Sequence, residues 1–206
     1  MKKFNKETCW YDPKIASNLL RAYDHSADFH LTHIKTFQAI LKQLPPNQSI
    51  IDIGCGGAKI STLCKKHTYV GADLSFIIDG VAKIKHPELT FISMDAETTN
   101  WEFISKFDVV LLNAFIDVME FPLDALTKVL SKASKYVWIH RQELSITKKT
   151  HLIANNSYGG QTFHSIINAM EFNKLYQSHG FELVHCLECG FSNWEANGSS
   201  ILLKKM

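Results

Sequence analysis

The sequence lacks the marks of a membrane, secreted or nucleic-acid-coating protein. Its 206 residues carry 22 Lys and Arg against 20 Asp and Glu, a net charge of +2. That balance provides no field strong enough to hold a polyanion. No apolar run approaches the ~18 residues that a membrane span needs. The start, MKKFNKETCWYD, has two lysines but no apolar stretch behind them, so no secretory leader is expected. Cysteine is sparse and odd in number (Cys9, Cys55, Cys64, Cys186 and Cys189), which argues against a disulfide framework and for a reducing cytoplasm. Repeats, low-complexity tracts and long linkers are absent. So are a P-loop, a GxSxG nucleophile elbow and an HExxH helix. Cys186-Leu-Glu-Cys189 lacks two further ligands and lies in a strand pattern that points its cysteines to opposite faces. His30 and His33 stand three apart on a helix without a companion motif. No metal site is expected.

What is present is a chain with 46% hydrophobic and 20% charged residues, the composition of a globular protein of one domain, residues 1–206. Asp12-Pro13 caps a first helix, whose Ile15, Leu19, Leu20 and Tyr23 mark one face. A second helix carries Ile34, Phe37, Ile40, Leu41 and Leu44 and stops at Pro45-Pro46. Then QSIIDIG, YVGADLS, LTFISMD, FDVVLLNAF and YVWIH read as strands. Between them lie helical stretches at about Ala58–Lys66, Phe76–Lys85 and Leu123–Ala133. Asn168 to Glu171 has capping-box spacing and opens a last helix that reaches Gly180. FELVHCLE and SSILLKKM close the chain, joined by a loop from Gly190 to Ser199, which makes them an antiparallel edge pair. Strands alternating with helices predict a mostly parallel sheet covered on both faces. Residues 145–167 form an insertion after the fifth strand, a hairpin turning at Tyr158-Gly159-Gly160.

The most informative stretch is Ile50-Ile-Asp52-Ile-Gly54-Cys-Gly56-Gly57-Ala58. Glycines between a strand and a helix let a ligand approach the backbone at the carboxyl ends of the strands. A dinucleotide fingerprint would place its third glycine where Lys59 stands, and fails. The pattern present is an acid two residues before the first glycine, Asp52, then Gly54 and Gly56. That acid suits a ligand with a cationic amino group and would repel a pyrophosphate. Asp73 ends the second strand, where an acid takes both ribose hydroxyls. Asp95 ends the third, within reach of an adenine amine.

IIDIGCGGAK, VGADLS, SMDAE and FDVVLLNAFIDVME resemble the successive cofactor motifs of class I S-adenosylmethionine-dependent methyltransferases, closely from about Ser49 to Phe121 and in outline beyond. The resemblance implies a Rossmann-like three-layer α/β/α sandwich with a seven-stranded, mostly parallel sheet and an antiparallel last strand. It implies S-adenosyl-L-methionine as cofactor and S-adenosyl-L-homocysteine as product. By it, Asp52 orients the methionine end, Gly54 and Gly56 admit methionine and ribose, and Asp73 takes the ribose hydroxyls. Leu74 packs on the adenine, Asp95 and Ala96 hold its edge, and Asn113 and Ala114 floor the sulfonium. One departure stands out. The family's third glycine is Ala58 here, the mildest replacement and one that favours the following helix.

Methyl transfer asks alignment of the protein and little else, so the acceptor is less legible than the cofactor. Asn113-Ala-Phe-Ile116 replaces the Asn/Asp-Pro-Pro-Tyr/Phe motif of enzymes acting on adenine or glutamine amides. No paired-glutamate loop of the arginine type is present. A small-molecule acceptor methylated at oxygen is expected. The rivals are a methyltransferase acting on an RNA or tRNA base and a fold that has kept the cofactor cleft without catalysis. His140 and His164 are the candidate general bases. Arg141, Glu143 and Tyr158 are candidates for binding the acceptor, with Arg141 pairing an acidic group. Residues 1–46, with Trp10, Tyr11 and Tyr23, are expected to form a helical lid, and 145–167 to cover the substrate.

Overall fold

A computed structural model describes residues 12, 14–23, 31–157, 160–192 and 196–206. Trp10, Tyr11, His30 and Tyr158 lie outside these residues. Helix α1 spans Lys14–Tyr23 and α2 Thr32–Leu41. Asp12 caps α1 by accepting the Lys14 N–H at 2.9 Å. The strands are β1 (Ser49–Ile53), β2 (Thr68–Asp73), β3 (Thr90–Ser93), β4 (Val109–Asn113) and β5 (Tyr136–Ser145). They continue with β6 (His151–Ser157), β7 (Gly160–Asn168), β8 (Phe181–Ser192) and β9 (Asn197–Lys205).

The backbone of the sheet runs β3-β2-β1-β4-β5-β9-β8. β1 to β5 are parallel, and β9 is antiparallel to both β5 and β8. The expected seven strands with an antiparallel last one are therefore there, with β8 at the edge. The insertion adds two more. β6 and β7 form an antiparallel hairpin, and β7 pairs with Glu143–Ser145 of β5, so nine strands share one sheet. β5 is twice the length expected from YVWIH. Its first half pairs with β4 and its second half with β7, while β9 follows its other edge. The loop expected from Gly190 to Ser199 is correspondingly shorter, because β8 and β9 run into it.

Alternation along the central strands assigns the two faces. Ile51, Ile53, Val110, Leu112 and Val137 pack under the helices Pro122–Lys132 and Ala169–Ser178. Ile50, Tyr69, Val109, Leu111 and Trp138 pack under α2 and the turn Lys59–Leu63. Phe37 of α2 stacks on Trp138 at 4.1 Å between ring centroids. α1 brings Leu19 and Leu20 onto Ile77 and Val81 of the helical stretch Ser75–Lys85, which contains a π-turn at Ile78–Ala82.

Two local expectations are corrected. The helix expected at Ala58–Lys66 is a 3-10 turn, Lys59–Leu63. Ser61 and the β-branched Ile60 and Thr62 are weak helix formers, and the Thr62 hydroxyl donates to the Lys59 carbonyl at 2.9 Å in competition with the helical ladder. Ala58 therefore does not favour a helix. It stands before the turn at φ +55°, a left-handed conformation that costs alanine about 1 kcal/mol and glycine nothing. The cap at Asn168 holds as expected. Its side chain accepts the Met170 and Glu171 N–H groups. Thr150 completes the box by accepting the Asn168 N–H and donating to Glu171.

Candidate functional site

The parallel strands β1, β2 and β4 end together, and the chain turns sharply after each. After β1, Gly54 and Gly56 take φ of +73° and +53°. Gly54 and Cys55 both donate to the Ala72 carbonyl, at 2.8 and 3.2 Å, which bends the loop back over β2. A Cβ on Gly54 would stand 2.5 Å from Cδ2 of Phe115, whereas one on Gly56 would meet open space. The turn is thus closed on the β4 side and open at Gly56. Phe115 reaches this place because Ala114 leaves β4 at φ +50°, its N–H held by the His140 carbonyl at 2.9 Å.

Asp73 ends β2 beside the glycine turn. Its Oδ2 accepts the Gly56 N–H at 2.8 Å, and its Oδ1 accepts the Leu74 N–H at 2.7 Å. Burial pushes this carboxyl up to about 6, against the pull of the two amides. The Asp73 carbonyl accepts the Met94 N–H at 2.8 Å and so draws the end of β3 alongside. There Asp95 Oδ1 accepts the Glu97 N–H, and the Ala96 carbonyl accepts the Trp101 indole N–H. Leu74 packs on Ile77 and Val81. Gly54, Gly56, Asp73, Leu74, Asp95, Ala96, Asn113 and Ala114 therefore lie along one rim.

Asp52 differs from them. It is 1% exposed, and its Oδ2 accepts the Tyr69 hydroxyl at 2.5 Å while Oδ1 has no partner. Burial pushes its carboxyl up to about 7. Because that value is above the ordinary one, protonation of Asp52 favours the folded state. Stability from this group grows as pH falls from above 7 toward 4, and is lost as pH rises through 7. Asp52→Asn keeps an acceptor for Tyr69 and removes the titration. Melting curves at pH 8 and pH 5 should differ less in the variant than in the wild type, and equal differences would dismiss Asp52 as the titrating group.

On β5 the register shifts between His140 and Gln142, and Arg141 occupies the bulge at φ +66°. The bulge decides which side chains share a face. His140 lies opposite Ser200, and Gln142 opposite Ser199, so the two point to opposite faces, and Glu143 joins the face of His140. Glu143 then meets His164 of β7, with Oε2 and Nε2 3.4 Å apart. His140 is 1% exposed, lies edge-on to Phe37, and shares a hydrogen with Ser200 Oγ at 2.8 Å, which also takes the Trp138 indole N–H. Burial, with Arg141 and His33 adding positive charge, lowers its imidazole to about 3. His140 is therefore neutral throughout the physiological range, and the expectation that it titrates near neutrality does not hold. Arg141 is exposed, and its charge pulls down the carboxyl of Asp117.

Asp117 was not singled out from the sequence, nor were Phe115 and Tyr69. Asp117 sits in the 3-10 turn Ile116–Val118 after β4, with Oδ1 buried and unpartnered, and burial pushes its carboxyl up to about 6. The available signal was an acid flanked by Ile116 and Val118 beyond an all-apolar strand. Among the described residues, no group of three or more His, Cys, Asp and Glu is arranged to hold a metal, and no helix is long and apolar enough to cross a membrane.

Comparison with known proteins bears on this rim. The sequence profile of a family described as a methyltransferase domain matches residues 5–186. A candidate methyltransferase, 235L of Invertebrate iridescent virus 6, is 33% identical over 94 residues, 44% of this chain and 34% of its own length. The match thus spans about a third of that relative. Among solved structures, a SAM-dependent methyltransferase of Methanosarcina mazei superposes with a TM-score of 0.64 at 17% identity, over 82% of this chain and 97% of that one. The magnesium protoporphyrin IX methyltransferase of Synechocystis PCC 6803, solved with SAM bound, gives 0.60 at 15% identity over 84% and 77%. The 1,6-didemethyltoxoflavin-N1-methyltransferase of Burkholderia thailandensis, with its substrate and S-adenosylhomocysteine, gives 0.64 at 16% identity over 95% and 89%. At these identities the structures establish a common fold.

Proposed function

The chain belongs to the methyltransferase-domain family, and from that premise we propose that it transfers a methyl group from S-adenosyl-L-methionine to oxygen of a small or medium-sized acceptor. The observation that carries the reading is the joining of Asp73 to the glycine turn, with open space above Gly56. A carboxylate there can take ribose hydroxyls, and a Cβ-free backbone can lie against the sugar and the methionine chain. Asp95 and Ala96 would hold the adenine edge, Leu74 would pack on its face, and Asn113 and Ala114 would lie under the sulfonium. Asp52, sealed behind β1, shapes the turn through Tyr69.

The cofactor supplies a methyl group already activated by a positive sulfur. The chain's own residues hold the acceptor oxygen in line and receive its proton. His164 takes that proton, its imidazole steadied by Glu143. His140 contributes a neutral imidazole to the wall. With both bound, the acceptor oxygen would take the methyl carbon as the carbon–sulfur bond broke, the electron pair staying on sulfur. The hairpin β6–β7 covers the acceptor, and α1, packed with Leu74, Ile77 and Val81 beyond Asp73, closes over the cofactor. The carboxylates of this rim and the near-neutral net charge favour a small molecule over a nucleic acid as partner.

Calorimetric titration with S-adenosylhomocysteine, with NADH in a parallel cell, tests the cofactor. Micromolar binding of the first alone is expected. Binding of NADH instead would overturn the reading of the glycine turn. A folded protein that binds neither would favour a fold that has kept the cleft without catalysis.

A further inference from the structure

Most of the buried polar atoms that lack a hydrogen-bond partner belong to the stretch where β5 leaves β4 and takes up β7. Among the described residues these are Asn113 Oδ1, Asp117 Oδ1, Gln142 Oε1, Thr162 Oγ1 and His140 Nε2. Native interiors rarely leave such atoms unmet, and a cluster of them marks a place where something else supplies the partners. Gln142 and Asp117 are connected on one face of the sheet, while Thr162, with Glu143 and His164, stands on the other. Gln142 Nε2 donates to the Ser165 carbonyl at 2.9 Å, and the Ser165 hydroxyl donates to the Ile116 carbonyl at 3.1 Å, one residue before Asp117. Thr162 and Gln142 are 1% and 2% exposed. Thr162 and His164 share a face of β7.

The chemistry of the unmet atoms has a direction. Gln142 Nε2 is fixed as the nitrogen because it donates to two carbonyls, of Ser165 and Glu143, so its unmet atom is an acceptor. Asp117 Oδ1 is also an acceptor. Glu143 adds a second carboxylate, close enough to raise the Asp117 carboxyl, and Arg141 is the cation that opposes them. Acceptors and negative charge thus outweigh donors and positive charge. Arg141, expected to pair an acidic group of the substrate, has its charge acting on Asp117.

Resting on the methyltransferase reading above, we propose that Asp117 and Gln142, with Glu143 beside them, bind the acceptor, and that the acceptor enters bearing hydrogen-bond donors and no negative charge. Its class is an alcohol, a phenol or a protonated amine, and not a carboxylate. A hydroxyl or ammonium group donates to Asp117 and Gln142, whereas a carboxylate meets two like charges.

The test uses three probes of one size, benzyl alcohol, benzylammonium and benzoate. Each is titrated against the full chain by ligand-observed NMR, with and without S-adenosylhomocysteine. Benzyl alcohol and benzylammonium are expected to bind about tenfold more tightly than benzoate. Asp117→Asn should reduce that preference to about threefold or less and leave the S-adenosylhomocysteine affinity unchanged. Glu143→Gln reads the same charge if the first variant fails to fold. Benzoate binding as well as the others, absence of binding by all three included, overturns the proposal. Failure to bind S-adenosylhomocysteine would instead overturn the reading beneath it, and the probe ranking is still measured in that case.

Discussion

Gly54→Ala is expected to destabilise the fold by roughly 2–5 kcal/mol and to remove measurable binding of S-adenosylhomocysteine. Two separate penalties combine. A φ of +73° disfavours any Cβ by about 1–2 kcal/mol. The added methyl also lands 2.5 Å from Phe115 Cδ2 and 3.2 Å from its Cγ, near the root of a side chain that cannot simply swing its tip away. Overpacking of this kind costs about 1–3 kcal/mol. Gly56→Ala is the internal control, because it incurs the conformational cost alone, its Cβ meeting open space. Urea unfolding of both variants separates the penalties. Adding Phe115→Ala to the Gly54 variant should recover the packing part and leave the backbone part. Equal stabilities of the two alanine variants would show that Phe115 does not close the turn.

Loss of the Asp73 carboxylate is the other large effect. Asp73→Ala should weaken S-adenosylhomocysteine binding by on the order of 1.5–3 kcal/mol, roughly ten- to a hundredfold. The variant also frees the Gly56 and Leu74 N–H groups that the carboxylate now accepts. Asp73→Asn isolates the charge, since it keeps one acceptor oxygen and the shape. The pH dependence distinguishes the two roles. Burial holds the carboxyl near 6, above its ordinary value, so protonation favours the folded chain and this group's contribution to stability rises as pH falls through 6. Ribose hydroxyls need the ionised form, so binding should fall over that same interval while stability rises. Wild-type affinity that stays flat from pH 7.5 to pH 5, or an alanine variant with unchanged affinity, would move the ribose site elsewhere.

Much of the rim could be read directly along the chain, and the reason is local. A strand period, a glycine where φ turns positive, and an acid at the end of each successive strand are features of a few neighbouring residues. Asp52, Gly54, Gly56, Asp73, Asp95 and Asn113 all belong to that class. The hairpin at 145–167 was legible for the same reason, through the glycines at its tip.

Other features depend on residues far apart in the chain. The length of β5 is decided by β7 and β9, which pair along it. The bulge at Arg141 follows from that pairing, and it alone brings Glu143 to the face of His164. No reading of His140-Arg-Gln-Glu143 as a plain strand could place them so. His140 looked like a base because imidazole titrates near neutrality. Phe37, Trp138 and Ser200, brought together from three elements, bury it and remove that property. Ala58 was judged by helix propensity, but the Cys55 carbonyl, which takes its N–H at 2.8 Å, helps hold it in a left-handed turn. Sequence alone determined the fold class and the rim of strand ends around the glycine turn, because both are written in short-range periodicity and turn chemistry. Tertiary structure decided charge states and facing, because burial and register are properties of what packs around a residue and not of its neighbours in the chain.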